Sequence, residues 1–246
     1  FFYAGNEISA LFVLFCGFYL YKSFLKSFLR YLLTGAYFIF LALLISTKTS
    51  ILSAFLLLFL IPIMSNFRSL FVPNNKYFLF NIIFVLIFTI QFSYIFILFQ
   101  ETNFFNRLEY IYTNSGILGV LFSSRDIYLL DMWDLYLNNL TIFSLFFGNG
   151  ITFYADLLKF SVEIDLIDIF FWHGILGLIA ILFIYLKLSN HSLTNFFNND
   201  FLFSRMVILV NLLLLMVSSL SGHVFTSGML GILWPIFCVY SYKLSK

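Results

Sequence analysis

The sequence predicts an all-α protein: a polytopic transmembrane helix bundle of about seven spans, with one long, partly helical segment outside the membrane. Three observations predict it. The 246 residues are 62% hydrophobic and 10% charged, with a mean hydropathy of +1.02. A soluble domain carries about 25% charged residues, and no core of this size hides so much apolar surface from water, so lipid is the expected solvent. The apolar residues gather into runs separated by polar gaps, and the charges sort by gap. The whole chain, 1–246, reads as one integral-membrane domain.

The runs are Ile8–Tyr21, Tyr31–Ser46, Ile51–Met64, Tyr77–Phe99, Ile164–Leu186, Phe201–Leu220 and Gly228–Tyr242. The first three are short against the usual span of about 20 residues, and residues before Ile8 are expected to extend the first. The chain opens on Phe1 with no visible cleavable leader, so the expectation is of a piece with further spans upstream. Cys16 and Cys238 lie inside apolar runs and read as buried thiols, not a disulfide. The 37 phenylalanines fit the codon bias of an AT-rich genome better than a special role.

Charge placement sets the expected orientation. One set of gaps holds Lys22, Lys26, Arg30, Arg68, Lys76, Lys187, Arg205, Lys243 and Lys246; the alternate gaps hold only Lys48, Arg107, Arg125 and Lys159. The positive-inside bias makes the first set cytoplasmic, the N-terminus of this chain external and the C-terminus internal. Acids fall almost entirely on the outer side, with Asp200 the clear exception. The segment from Gln100 to about Val162 is the one long gap, extracytoplasmic in this orientation. "IYLLDMWDLYLNNL" within it is helical in pattern and amphipathic, as expected of a segment lying along a bilayer surface. Long ordered loops carry function, so the outer face is the expected working face.

Several residues there have chemical potential. In "FSSRDIYLLDMWDLYLNN", Asp131, Asp134 and Asn138 share one helix face at about 100° per residue, which reads as a solvated face. Arg125 falls on the opposite side, near Leu129, Met132 and Tyr136. A guanidinium on an apolar face wants an anion, and its planar fork suits phosphate; pairing with a remote carboxylate or snorkelling is the plainer alternative. Lys48, in a tight outer turn "STKTS", is either a lysine reaching lipid phosphate or a second phosphate contact. Gly148 and Gly150 in "FFGNGI" permit a tight turn or a close backbone approach.

Glu163, Asp165 and Asp168 crowd the mouth of a greasy run. Charges at that depth are functional candidates, facing a polar cavity or a partner; the alternative is that they mark the interface and pair with Lys159 or Arg125. Asp165, Asp168 and Trp172 share a helix face, and carboxylates beside an aromatic ring form a common sugar-binding environment. A partly buried carboxylate with a raised pKa could act as general base. His173 reads as a neutral histidine bonded to a neighbouring helix, and Gly174 and Gly177 as points of close helix packing. His223 and Glu7 sit at outer mouths, where either could orient a substrate or simply mark the interface. There is no His/Cys metal cluster, no phosphate-cradling glycine loop followed by Lys-Ser/Thr, and no nucleic-acid signature.

In serial order, the opening "FFYAGNEISA", the basic turn "STKTS", "SSRDIY" in a long loop, "LFFGNGI", "HGILGL" and a late "SGHVF" resemble the O-antigen ligase and polymerase superfamily of bacterial envelope enzymes. The resemblance covers nearly the whole chain and rests on order rather than on any one motif. It implies a multispan enzyme of the bacterial plasma membrane acting on saccharides linked to undecaprenyl pyrophosphate. It implies that Lys48 and Arg125 hold the lipid pyrophosphate. The ligases carry a His-Asn pair about eleven residues before a Gly-x-x-Gly; counting back from Gly174 reaches Glu163. That departure leaves the base open between Glu163 and Asp165 and favours repeat-unit polymerisation over transfer to lipid A. Asp168, Trp172, His223, Gly148 and Gly150 are the further substrate-binding candidates. The expected partners are the lipid-linked oligosaccharide and the bilayer, with a chain-length regulator as a further candidate; no nucleotide, metal or other cofactor is needed. The alternatives are an O-antigen ligase, a metal-dependent glycosyltransferase using a polyprenyl-phosphate sugar, for which Glu-x-Asp is a known pattern, and a transporter of lipid-linked sugar.

Overall fold

The computed structural model describes residues 5–65 and 103–244, apart from 123, 124, 158, 197–201 and 221. The predicted run Tyr77–Phe99 lies outside the described residues, as do Arg68, Lys76, Glu101, Asp200 and Lys246. Among the described residues the regular structure is helical, with no strand: α1 (Gly5–Lys26), α2 (Phe28–Ile45), α3 (Lys48–Ser65), α4 (Asn103–Phe122), α5 (Arg125–Asn138), α6 (Ile142–Phe147), a 3-10 turn (Ile151–Tyr154), α7 (Asp165–Thr194), α8 (Leu202–Leu220) and α9 (Gly228–Leu244). Four stretches among them are long and apolar enough to cross a membrane: Glu7–Lys26, Phe28–Ile45, Asp165–Thr194 and Phe203–Leu220. Lys48–Met64 and Leu230–Tyr240 are shorter apolar helices. Phe15, Tyr37, Phe40, Leu44, Ile232, Ile236 and Val239 all face outward, a perimeter suited to a lipid bilayer.

Local chemistry sets the short connections. Ser27 caps α2 by accepting from the Arg30 N–H at 3.3 Å. Ser46 closes the helix in the left-handed region, φ 59°. Thr47 then caps α3, its hydroxyl accepting from the Ser50 N–H at 3.2 Å, in keeping with the N-cap preference for hydroxyl residues. The expected position of Lys48 inside the turn is therefore corrected: capping by Thr47 makes Lys48 the first residue of α3.

α1 packs against α2, α3, α8 and α9, and their inward faces form one apolar core. The buried Arg205 donates to the Phe196 carbonyl at 2.8 Å and to the Met64 carbonyl at 3.2 Å, joining the start of α8 to the end of α3. The two helices thus run antiparallel, and Lys48 lies at the end of the bundle where α8 finishes. Midway along α8, Asn211 binds three helices together. Its Nδ2 donates to Ser189 of α7 at 2.9 Å, and its Oδ1 accepts from Trp234 Nε1 of α9 at 2.8 Å. An Asn211→Leu substitution leaves the Trp234 indole N–H without its acceptor in an apolar setting. It is expected to cost about 1–2 kcal/mol, read as a lower midpoint in SDS-induced unfolding; an unchanged midpoint would show that packing alone joins these helices.

A second, smaller core caps one end of the bundle. It unites Met132 and Tyr136 of α5, Tyr154 of the 3-10 turn, and Val162, Ile164 and Phe171. Phe171 is fully buried at its centre, with ring centroids 5.4 Å from Tyr136, 5.8 Å from Tyr154 and 6.0 Å from Trp133. The faces of α5 fall as the periodicity predicts: Arg125, Met132 and Tyr136 are buried, and Asp131, Asp134 and Asn138 are exposed.

α7 departs from the straight span the sequence suggests. Gly174 breaks it with φ 65° and ψ −163°, a conformation open to glycine but strained for L residues. The second limb, residues 175–194, is about 30 Å long at 1.5 Å per residue. The first limb belongs to the cap.

Candidate functional site

Two glycines pressed together found the site. Gly148 ends α6 and Gly174 breaks α7, and neither has room for a side chain. A Cβ on Gly148 would collide with the Trp172 carbonyl, and one on Gly174 with the Phe146 carbonyl. The break in α7 lets the chain after α6 enter, and the Asn149 and Gly150 N–H groups donate to the Phe171 and Trp172 carbonyls at 3.0 and 3.1 Å. Gly148 and Gly150 adopt φ 75° and 77°. They support the first limb of α7 through backbone contacts. The close approach expected at Gly174 exists: the last turn of α6 and the glycine after it press against the break in α7. His173, expected to bond a neighbouring helix, is instead exposed beside that break.

The first limb carries two acids, each of which straps a loop. Asp168 folds back on the chain before it, accepting from the Val162 N–H at 2.7 Å and the Glu163 N–H at 3.0 Å. Trp172 Nε1 donates to the Phe160 carbonyl at 3.3 Å, so residues 160–163 double back along the helix. Asp165 faces the other way. It accepts from the N–H groups of His223, Val224 and Phe225 at 2.7, 2.7 and 3.0 Å, and from the Thr226 hydroxyl at 3.0 Å. Asp165 is 1% exposed and Asp168 3%. The straps hold Glu163 and His223 at φ 62° and 61°, in the sparsely populated left-handed region. A Cβ on Gly222 would lie 2.5 Å from the Glu163 carbonyl, so the two strapped loops touch.

Glu163 is thereby presented to two cations. Its Oε2 is 3.0 Å from Arg125 Nη2 and its Oε1 is 2.8 Å from Lys159 Nζ. Lys159 also lies 4.7 Å from the centroid of the Tyr128 ring. Arg125 Nη1 donates to the Leu220 carbonyl at 3.0 Å, tying the cap to the end of α8, while its buried Nε has no partner among the described residues. Burial by itself raises the Glu163 pKa, but the hydrogen bonds and charges of Lys159 and Arg125 outweigh it and hold the carboxyl below its ordinary value. A depressed carboxylate stabilises the fold above its unfolded pKa, about 4.3, and that contribution is lost as pH falls through the folded value. Acidification below about pH 4 is therefore expected to lower the thermal midpoint of the wild type more than that of Glu163→Gln, as measured by melting in detergent; parallel losses would refute the linkage.

Of the residues singled out in the sequence, Arg125 and Glu163 meet directly. Asp165, Asp168, Trp172, His223, Gly148 and Gly150 shape the ground beneath them. Lys48 takes up the same end of the bundle at the head of α3. Glu163 and Asp165 diverge: one faces cations, the other a row of N–H groups, so they form no shared chelate. Among the described residues no three His, Cys, Asp or Glu side chains gather as a metal site. In the sequence Lys159 stands out only as a neutralising partner; its contact with Glu163 is made across a non-helical stretch, so helical spacing does not signal it. Gly222 and Thr226 carry no signal either, because their roles depend on a loop folded beside another helix. No family model, curated protein or solved structure matches the chain.

Proposed function

We propose that the chain is a polymerase that joins undecaprenyl-pyrophosphate-linked oligosaccharide repeat units at the extracytoplasmic face of a bacterial plasma membrane. The observation that carries the reading is the contact of Glu163 with both Arg125 and Lys159 at one end of an apolar bundle. Two cations side by side suit a diphosphate, and a carboxylate between them suits proton acceptance. The exposed apolar residues Leu130, Trp133 and Leu137 of α5 fit a cap resting on a bilayer surface, where the donor and acceptor lipids would both reside.

In this scheme the diphosphate of the donor takes over Arg125 and Lys159. Glu163, released from both, regains basicity as its stabilising cations turn to the substrate. The acceptor hydroxyl at the non-reducing end of a fresh repeat unit loses its proton to Glu163 as its oxygen bonds to the anomeric carbon. The bond from that carbon to the diphosphate breaks, the electron pair leaves with the diphosphate, and the cations stabilise the charge that grows there. A single displacement inverts the anomeric centre. Lys48, at the same end of the bundle, is a further contact for the lipid phosphate.

The ligase alternative uses the same cations and base with a different acceptor. The metal-dependent alternative needs Glu163 and Asp165 to share an ion, and their separate engagements argue against it. A transporter would need a polar path through the spans, whereas the ionisable groups of this site crowd one end.

The test is purified protein with synthetic lipid-linked repeat units and no nucleotide sugar. Lipid-linked oligomers of inverted linkage are expected, unaffected by chelator, and Glu163→Gln is expected to lose about 10²–10⁴-fold in rate while keeping its thermal midpoint at neutral pH within a few degrees. Absence of oligomers with active lipid-linked substrate, or full activity in Glu163→Gln, would refute the reading.

A further inference from the structure

The opposite end of the bundle carries a different feature. Between α1 and α2 lies a hollow of about 340 Å³ lined by Lys22, Lys26 and Arg30, with Ser23 and Thr34 at its wall and Tyr19 at its edge. The two hydroxyls bond each other at 2.9 Å. Among the described residues no carboxylate pairs with the three cations. Tyr19 also borders a second hollow, about 260 Å³, between α1 and α9, lined by apolar residues including Leu14, Phe15 and Phe18 of α1 and Ile236 and Phe237 of α9.

A cationic hollow with hydroxyl donors continues, across one tyrosine, into an apolar groove that faces the perimeter. From Lys26 to Leu14 the helix advances about 18 Å at 1.5 Å per residue, close to the ~15 Å that half of a hydrocarbon core occupies. We infer that this is a binding site for one anionic phospholipid, its phosphate held by Lys22, Lys26 and Arg30 and one acyl chain laid in the groove along α1. Diffuse attraction of basic residues to an anionic leaflet accounts for the charges but not for the paired hydroxyls or the adjoining groove. The site is independent of the reaction proposed for the other end.

Native mass spectrometry of the full chain in detergent tests it, with titrations of phosphatidylglycerol, phosphatidylcholine and inorganic phosphate. Saturable binding of phosphatidylglycerol is expected, with weaker binding of phosphatidylcholine and none of inorganic phosphate over the same range. Each cation replaced by glutamine is expected to weaken phosphatidylglycerol about fivefold, and all three together about 100-fold. Lys187→Gln, an exposed cation on α7 outside the hollow, is expected to change nothing. Ser23→Leu, which fills the hollow and keeps every charge, is expected to weaken binding at least tenfold and carries the test if the triple variant does not fold. Unchanged binding in Ser23→Leu, equal losses in Lys187→Gln and Lys26→Gln, or inorganic phosphate binding as tightly as the lipid would each overturn the site.

Discussion

Arg125→Ala is expected to lower the rate of lipid-linked oligomer formation by about 10²–10³-fold, the effect of removing one preorganised donor from a developing charge. The guanidinium is the group best placed for that role. It is buried, it holds Glu163 at 3.0 Å, and its Nη1 is anchored on the Leu220 carbonyl, so it is fixed before substrate arrives. Arg125→Lys keeps the charge but loses the fork that spans carboxylate and carbonyl at once, and an intermediate loss is expected. The measurement is single-turnover rate at saturating lipid substrate, with the thermal midpoint followed in parallel because the Leu220 anchor is structural. A folded Arg125→Ala protein that forms oligomers at the wild-type rate would remove the basis of the proposed mechanism.

Asp165→Asn is expected to destabilise the protein by about 1.5–3 kcal/mol, the range for losing hydrogen bonds made to a charged acceptor. The carboxylate accepts from three backbone N–H groups and one hydroxyl. An amide offers one oxygen and turns an N–H donor toward other donors. The loop that holds His223 at positive φ then loses its tether. Faster amide hydrogen exchange at residues 223–225 and a lowered thermal midpoint are the expected signatures. The same experiment separates two roles for Asp165. A general base would lose activity on conversion to Asn with loop protection intact; a strap loses protection first and activity only as a consequence.

Apolar run length and composition locate helices without any knowledge of the fold, and α1, α2, α7 and α8 follow from them. The opposed faces of α5 follow from a period of 3.6, which is why Arg125 emerges as buried before any neighbour is known. Helix ends are less legible. Lys48 resembles a turn residue because apolar periodicity begins at Ile51, while Thr47 starts the helix earlier by capping it. Asp165 and Asp168 look alike in sequence, two acids three residues apart on one helix. Their partners, the N–H groups of residues 162–163 and 223–225, are set by where two loops return.

Composition and spacing are enough to specify a helical protein suited to lipid, with its acids gathered in alternate gaps and an arginine on a buried face. Those properties are local: hydrophobicity, periodicity and charge act within a turn or a span of chain. The folded arrangement was needed to show that Glu163 faces Arg125 and Lys159 while Asp165 faces a backbone loop, and that Gly174 opens α7 to admit Gly148. A carboxylate's role is set by the donors within about 3 Å of it, and here those donors come from residues up to 61 positions away along the chain.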